Sequence, residues 1–339
     1  MQKRVSGSAD AERADIYQSV TDKIIAAIEA GAGKWQMPWH VKSPSGIGPL
    51  NVSSERPYRG VNVLMLWASA MTEGYTSPVW GTYRQWQAEG AQVRRGEKAT
   101  SIVFYKALDQ SAGGDSENEP AENDPRRTRF VARGFSVFNA DQVDGFDFVP
   151  CANDSEITRI DRVEGWIQSL NPDVRHGGSK AFYVPAADYI QMPPLNSFKE
   201  IVPYYSTLLH ELTHWSGHKS RCDRDMKGRF GDLSYAMEEL VAELGAAFLC
   251  SALGIEVEPR IDHAQYIEYW LKVLKMDKRA IFTAASQAQK AVDWMEAAQP
   301  EDISDWVEAD DADIARMPGA SSSMDMADRQ GRAHAQAAE

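Results

Sequence analysis

Residues 208–214 read LLHELTH, and within them His210, Glu211 and His214 form an HExxH motif. The apolar residues directly before the motif favour a helix, on which residues four apart lie on one face, about 6 Å from each other. One metal ion can therefore bind both imidazoles, and Glu211 is positioned to be the general base for a metal-activated water. The bare motif also arises by chance, and the alternative is a helix whose histidines lie on a polar face.

A second helix, predicted over residues 233–253, offers the third protein ligand that such a metal site requires. It carries Glu238, Glu239 and Glu243, of which the last two share one helix face. One of these two carboxylates can bind the metal while the other accepts a hydrogen bond from a ligand imidazole. Apolar neighbours would leave them semi-buried, which is costly without a cation and favours the metal interpretation. Tyr235, one turn earlier, either polarises a carbonyl oxygen of a substrate or simply packs.

His218 is the rival candidate for the third ligand. It follows His210 by eight residues, whereas the HExxHxxGxxH arrangement places its third histidine ten residues after the first. Gly217 is also expected to end the helix before His218 is reached. We therefore expect His218 to contact a ligand residue or the substrate rather than the metal.

A strand is predicted just upstream of the motif, over residues 180–192, and Pro185 within it indicates an edge or a bulge. In zinc peptidases an edge strand near the site can hold an extended peptide by strand addition. The alternative is an ordinary core strand.

The net charge of −13 argues against nucleic-acid binding for the chain as a whole, but the acidic residues are unevenly distributed. Residues 108–125 contain six acids and no base, and residues 300–339 contain ten acids and three bases. Residues 1–107 contain 13 Lys and Arg against 9 Asp and Glu. This asymmetry can indicate a polyanion-binding module in the N-terminal part of the chain.

Composition indicates in which compartment the protein acts and whether it spans a membrane. No stretch reaches the roughly 20 apolar residues of a membrane span, and the N-terminus lacks the apolar core of a secretory signal. Three cysteines without paired spacing fit a reducing cytosol. We therefore expect a cytoplasmic protein without a membrane partner.

Hydrophobic periodicity predicts an α+β fold with two domains. Residues 12–150 combine helices with two paired strands, between which residues 108–126 are predicted to be a disordered acidic insertion. Residues 151–298 are predicted to be mostly helical with a small sheet, and residues 299–339 to be an acidic flexible tail. The helices of the second domain are expected near residues 156–170, 199–217, 233–253, 263–275 and 278–297.

The N-terminal domain interleaves aromatic rings with basic side chains, the combination that binds single-stranded nucleic acids by stacking and phosphate pairing. The alternative is a tryptophan-rich domain with a solvated basic face. Arg94, Arg95 and Lys98 are expected to contact phosphates. The full set of predicted DNA contacts is Trp39, Arg59, Tyr83, Arg94, Arg95 and Lys98.

Motifs in both halves of the chain occur in a family-specific order. The N-terminal ones include YRGVN at residues 58–62, GYTSPVW at 74–80 and VRRGEK at 93–98. The C-terminal ones include the HExxH segment at 208–218 and YAMEELVAEL at 235–244. Over about residues 12–295 the chain resembles the ArdC-type antirestriction proteins of conjugative plasmids, and its N-terminal part is similar to a module of TraC-type primases.

This resemblance implies an N-terminal single-stranded-DNA-binding domain, a C-terminal zincin-like metallopeptidase domain, and a role in protecting incoming DNA from host restriction. It implies His210, His214 and Glu239 as ligands of Zn²⁺, with Mn²⁺ as another candidate, and Glu211 as catalytic base. Glu243 and His218 would then support the ligands, and the protein substrate could belong to the host restriction system. Two alternatives stay open: a DNA-binding protein whose metal site is not catalytic, and a regulatory metallopeptidase without DNA affinity.

Overall fold

The structure is a computed structural model of the chain, and an α+β fold is confirmed. The residues that it describes are 15–32, 37, 39, 48–108, 129–148, 156–228, 232–255 and 264–300. The predicted insertion at residues 108–126 and the predicted tail at 299–339 lie outside these residues, apart from 108, 299 and 300. The proposed domain boundary at residue 150 stays a prediction.

Within its described residues, the N-terminal half combines three α-helices with short strands around one longer hairpin. The helices are α1 (Ile16–Ala32), α2 (Val61–Glu73) and α3 (Tyr83–Ala88). The strands are β1 (Leu50–Asn51), β2 (Val79–Gly81), β3 (Gln92–Val93), β4 (Thr100–Leu108), β5 (Arg129–Asn139) and β6 (Val143–Asp144).

The main sheet of this half has the strand order β1-β2-β5-β4. β4 and β5 pair antiparallel from Thr100 opposite Val137 to Leu108 opposite Arg129, as the alternating apolar pattern predicted. Leu66 of α2 packs on Trp80, Ile102 and Val137 beneath the sheet. β3 and β6 form a separate antiparallel pair.

Among the residues that the structure describes, the C-terminal half has five α-helices and a three-stranded sheet. The helices are α4 (Glu156–Leu170), α5 (Ile201–Ser216), α6 (Leu233–Ala252), α7 (Ala264–Met276) and α8 (Ala280–Ala297). The strands are β7 (Val174–His176), β8 (Phe182–Val184) and β9 (Tyr189–Met192), in the order β7-β9-β8.

The continuous strand predicted over residues 180–192 is wrong, because this stretch forms the β8–β9 hairpin. Pro185 lies in the turn, and Asp188 has a φ of 51°, a conformation that a strand interior does not adopt. β8 is the edge strand of its sheet, so an exposed edge does exist in this region.

α6 forms the centre of the helical layer and packs against α5, α7 and α8. Every residue from Glu239 to Cys250 is buried, which is typical of a helix enclosed on all sides. The two halves also touch: the Thr21 hydroxyl donates to the Lys278 carbonyl at 2.7 Å, and Gly60 N–H donates to the Gln289 side chain at 3.0 Å. None of the described helices is long and apolar enough to span a membrane.

Candidate metal centre

The HExxH motif lies in the last two turns of α5, as the sequence predicted. Both His210 and Glu211 are buried, and the rings of His210 and His214 have their centroids 4.9 Å apart. The helix ends at Gly217, whose N–H donates to the His214 carbonyl. The i, i+4 spacing thus places both imidazoles on one face toward α6.

Glu239 of α6 faces both imidazoles. Its Oε2 lies 3.6 Å from Nε2 of His210, and its Oε1 lies 3.7 Å from Nε2 of His214. One ligand atom from each of the three residues lies within 4.8 Å of the others. Two imidazole nitrogens and one carboxylate oxygen, with room for a fourth ligand, form a donor set suited to a catalytic divalent metal.

The close approach of α5 and α6 is set by Gly245, one turn and a half beyond Glu239. A Cβ atom at Gly245 would lie 2.4 Å from Cγ2 and 2.7 Å from Oγ1 of Thr213. Thr213 is fully buried, and its hydroxyl donates to the Leu209 carbonyl at 2.9 Å. Only glycine therefore fits at this contact between the two ligand-bearing helices.

A further carboxylate faces the inner nitrogen of each imidazole. Oε2 of Glu243 lies 3.6 Å from Nδ1 of His210, and Oε1 of Glu238 lies 3.2 Å from Nδ1 of His214. Such carboxylates fix the ring orientation and leave Nε2 directed at the metal position. The supporting role proposed for Glu243 is consistent with this geometry, whereas Glu238 had been considered only as a candidate ligand.

Sequence reasoning did not identify Arg224. Its guanidinium is buried and donates to both oxygens of Glu238, with Nη2–Oε1 at 2.8 Å and Nε–Oε2 at 3.1 Å. It also donates to the Ser216 hydroxyl at 2.9 Å. No local pattern marks this arginine, because it reaches Glu238 from the loop between α5 and α6.

The electrostatics of the site favour charged carboxylates. Burial alone would raise the pKa of Glu239, but its hydrogen bond to His210 and the charges of both imidazoles lower the pKa to about 2. Burial likewise acts to raise the pKa of Glu238, and the hydrogen bonds to His214 and Arg224 outweigh it. This concentration of buried negative charge fits a bound cation.

A cavity of about 250 Å³ opens in front of these residues. Glu211 lines it, as do Tyr235 and Tyr266 on one side and Phe182 and Tyr183 of β8 on the other. Burial, followed by the hydrogen bond with Tyr266, raises the pKa of Tyr235, so its hydroxyl stays protonated. The two tyrosine oxygens are 3.3 Å apart.

His218 lies just past the end of α5 and is not among the residues lining the cavity. Its Nδ1 is 2.7 Å from the Ser220 hydroxyl on the exposed side of the loop. A supporting role for His218 stays a prediction without a contact to the three candidate ligands.

The prediction that Trp39 contacts DNA disagrees with its position in the structure. The ring is fully buried, and Nε1 donates to Glu243 at 3.1 Å. A base-stacking side chain has to present a ring face to solvent, which this residue does not.

The remaining predicted DNA contacts lie on the surface of the N-terminal half. Tyr83, Arg95 and Lys98 are exposed. Arg59 pairs with Asp293 of α8, and Arg94 lies 3.1 Å from Glu97 and donates to the Val143 carbonyl at 3.2 Å. A phosphate would therefore compete with protein partners at these last two arginines.

Two exposed aromatic side chains on the β4–β5 hairpin had not been selected from the sequence. Phe104 is 54% exposed and Phe135 43%, and their rings meet edge to face with centroids 5.3 Å apart. Arg133 is exposed beside them, directly opposite Phe104 in the strand register. Alternation along β5 could have pointed to Phe135 as a solvent-facing residue.

Two family models match the chain. One, described as a zincin-like metallopeptidase, covers residues 161–287, and the other, described as the N-terminal domain of anti-restriction factor ArdC, covers residues 14–138. Among solved structures, the antirestriction ArdC protein from plasmid R388 superposes with a TM-score of 0.66 at 40% identity, over 84% of this chain and 97% of that one. A Mn(II)-bound form of the same protein gives a TM-score of 0.66 at 39% identity, over 84% and 98% of the two chains.

Two relatives are similar in sequence. The uncharacterized protein y4eC of Sinorhizobium fredii is 51% identical over 285 residues, which is 84% of this chain and 92% of that protein. The DNA primase TraC of Escherichia coli is 37% identical over 302 residues, which is 85% of this chain. The chain spans only 27% of the length of that primase.

Proposed function

This chain belongs to the ArdC family of antirestriction proteins of plasmids, and from that premise we propose that it combines a divalent-metal peptidase site with single-stranded-DNA binding. The peptidase would act on a protein of the host restriction system, and the DNA-binding half would keep the protein on incoming DNA. Zn²⁺ is the proposed metal, and the Mn(II)-bound relative makes Mn²⁺ the alternative.

The observation that carries the peptidase proposal is the convergence of His210, His214 and Glu239 beside Glu211. The donor set fits a metal because both Nε2 atoms face one carboxylate while both Nδ1 atoms face other carboxylates. A structural site would need no general base, so Glu211 in the cavity supports a catalytic site. When bound there, a divalent cation would supply a water of lowered pKa and polarise a carbonyl oxygen.

The chain's own residues would then handle the protons. Glu211 would accept a proton from the attacking water and pass it to the leaving amine. The protonated hydroxyl of Tyr235 would donate a hydrogen bond to the oxygen that gains negative charge. Burial of Glu211 and its neighbours keeps bulk water away and strengthens these interactions.

The edge strand β8 offers a binding surface for the substrate backbone. Phe182 and Tyr183 line the cavity, and the outer edge of β8 has no neighbouring strand within the described sheet. An extended peptide can pair with such an edge while its side chains alternate between the cavity and solvent. This arrangement supports a peptide rather than a small molecule as the substrate.

Replacement of Glu211 tests the catalytic proposal. Glu211→Gln should bind metal as the wild type does but should cleave peptides about 10²- to 10⁴-fold more slowly, because the general base is lost. Hydrolysis of a host-derived peptide library, read by mass spectrometry, measures this, with the exposed Glu89→Gln as matched control.

Two results would contradict parts of this proposal. Undiminished hydrolysis by the Glu211→Gln protein would remove the residue from the mechanism. Intact protection of transferred DNA in a restricting host by a variant that no longer cleaves would favour protection by DNA binding alone.

Single-stranded-DNA binding is supported by the matched N-terminal domain and by the relationship to TraC. With Trp39 excluded, we propose that exposed aromatic residues stack on bases and that nearby exposed cations pair with phosphates. The proposed contacts are Tyr83, Phe104, Phe135, Arg95, Lys98 and Arg133.

Titration of a fluorescent oligonucleotide at several salt concentrations tests the DNA-binding proposal. Affinity should fall steeply as salt rises, since each neutralised phosphate releases condensed counterions. Absence of binding at low salt would leave the regulatory-peptidase alternative.

A further inference from the structure

Trp39 connects the N-terminal half of the chain to the metal centre. Its indole N–H donates a hydrogen bond of 3.1 Å to Oε1 of Glu243, across 204 residues of sequence. The other oxygen of the same carboxylate, Oε2, lies 3.6 Å from Nδ1 of the candidate ligand His210. One buried carboxylate is therefore held between an indole from the N-terminal half and an imidazole of the metal site.

The chemistry of the indole suits this position. A buried carboxylate is costly unless donors satisfy its oxygens, and an indole N–H can only donate. By holding Oε1, Trp39 fixes the rotation of the Glu243 carboxylate and so the direction of Oε2 toward His210. A fixed Oε2 in turn sets the ring orientation with which His210 presents Nε2 to the metal.

Trp39 also supports the part of the cavity wall that Tyr266 forms. Its ring meets Trp270 edge to face, with centroids 6.0 Å apart, and Trp270 stacks on Tyr266 at 6.1 Å. Tyr266 lines the cavity and contacts Tyr235 through the two hydroxyls. These two contacts of Trp39 thus connect it to residues of the metal site and of the cavity wall.

We infer that Trp39 is a positioning residue of the metal centre, which acts through Glu243 on His210. The N-terminal half then completes a site whose ligands all belong to the C-terminal half. By linkage, metal binding should stabilise the packing around Trp39 as much as Trp39 favours the metal. The inference rests on the proposed metal site but on neither peptide hydrolysis nor DNA binding.

A pair of matched tryptophan variants tests the inference. Trp39→Phe keeps an aromatic ring but loses the N–H donor. Trp86→Phe is the control, because Trp86 is equally buried and its Nε1 donates at 3.1 Å to the backbone carbonyl of Phe138, far from the site in the fold. Mn²⁺ affinity of the full chain, measured from the electron paramagnetic resonance signal of free Mn²⁺, is the readout.

Trp39→Phe should weaken Mn²⁺ binding by about 10-fold or more, the effect of losing a partner that orients a ligand, while Trp86→Phe should change it by less than about twofold. Thermal unfolding of the metal-free proteins separates this effect from a general loss of stability. Equal Mn²⁺ affinity in Trp39→Phe and wild type would overturn the inference. Wild-type protein that binds no Mn²⁺ or Zn²⁺ would instead overturn the proposed metal site on which it rests.

A double variant tests whether the effect passes through Glu243. In a Glu243→Ala background, adding Trp39→Phe should cause no further loss of Mn²⁺ affinity, because the carboxylate through which Trp39 acts on His210 is already absent. Additive losses of affinity would contradict the inference that Trp39 acts through Glu243.

If Trp39→Phe does not fold, wild-type protein with ¹⁵N-labelled indoles replaces it. The Glu243→Gln variant identifies the Trp39 indole signal, because the substitution moves it. Zn²⁺ should shift the same signal in the wild-type protein, and an unshifted signal would overturn the inference.

Discussion

The guanidinium of Arg221 holds the β8–β9 hairpin against the end of α5. It donates to Asp188 in the hairpin turn at 3.0 Å and to the Trp215 carbonyl at 2.7 Å, and it covers the Trp215 ring at 4.0 Å from the centroid. The hydrogen bond to Arg221 lowers the pKa of Asp188. Since residues of β8 line the cavity, this ion pair helps to fix the shape of the proposed substrate-binding surface.

The pair should make a pH-dependent contribution to stability. A carboxyl whose pKa is lower in the folded state stabilises the fold above its ordinary pKa of about 3.9, and this stabilisation is lost as the pH falls through the folded-state pKa. Asp188→Asn should therefore lower the free energy of unfolding at pH 7, and should lower it less at pH 3. We expect no more than about 1 kcal/mol at pH 7, because the Asp188 side chain is 38% exposed.

Denaturant unfolding of both proteins across this pH range measures the effect. The control is Asp173→Asn, which breaks an exposed local pair with Arg175 and should leave stability unchanged at either pH. A loss for Asp188→Asn that is as large at pH 3 as at pH 7 would contradict the ionic origin.

At the residue scale, the sequence could supply the candidate ligands and one supporting carboxylate, Glu243, but not the residues that hold these carboxylates in place. His210 and His214 follow from helical spacing, because i and i+4 positions share a face regardless of the rest of the fold. The same spacing offers Glu239 and Glu243 together, and only the family resemblance selects Glu239. Trp39 and Arg224 reach the site from distant or irregular segments, and their contacts depend on tertiary packing that periodicity does not encode. For the same reason, Trp39 was predicted to contact DNA, whereas its ring is buried.

The contact between α5 and α6 is the element-scale feature on which the metal site depends. His210 and His214 lie on one helix and Glu239 on the other, so the distance between the helices sets the spacing of the ligand atoms. Gly245 and Thr213 form a contact between the two helices that leaves no space for a Cβ atom at residue 245. The ligand geometry is therefore sensitive to a single methyl group at residue 245.

Gly245→Ala should destabilise the fold by about 1–3 kcal/mol, the usual cost of overpacking, and should also weaken metal binding. The matched control is Gly165→Ala in α4, where an added Cβ meets nothing within 4 Å and the helix should gain about 0.5–1 kcal/mol. Unfolding free energies and Mn²⁺ affinities of both variants measure this. Adding Thr213→Ala to Gly245→Ala should restore part of the lost stability and part of the lost Mn²⁺ affinity. If Gly245→Ala alone changes neither quantity, the two helices can separate without cost.

Long helices were predicted from the sequence within a few residues, because their apolar stripes repeat over several turns. α5 through α8 and the paired strands β4 and β5 are examples. β1, β3, β6 and β7 have two or three residues each, too few for any period to show. The β8–β9 hairpin was taken for one strand, since the turn at Pro185–Asp188 lacks a glycine.

At the scale of the whole molecule, the distribution of charge bears on the proposed interaction with DNA. The acidic stretches at residues 108–125 and 300–339 together carry all of the net charge of −13, so the remaining residues balance to zero. Repulsion between these stretches and phosphates would oppose DNA binding at low salt. The sequence alone gives this distribution, but the exposed positions of Phe104, Phe135 and Arg133 required the fold.

A chain that ends at Pro300 should bind single-stranded DNA roughly 2- to 10-fold more tightly at low salt, because fewer acidic residues repel the phosphates. The gain should disappear near 1 M salt, where the Debye length is about 3 Å. Fluorescence titrations of the shortened and full chains measure it. A control chain with the acids of residues 301–339 changed to their amides should match the shortened one. A gain that persists at high salt would point to a non-electrostatic effect of the segment.

The hydrogen bond between Trp39 and Glu243 also bears on how such genes can recombine. Exchange of the N-terminal segment alone for an unrelated one would remove the indole donor of a buried carboxylate, a cost of about 1–3 kcal/mol. Natural selection would then favour transfer of both halves as one cassette. Each match to TraC extends over more than four fifths of this chain within a much longer protein, in agreement with joint inheritance.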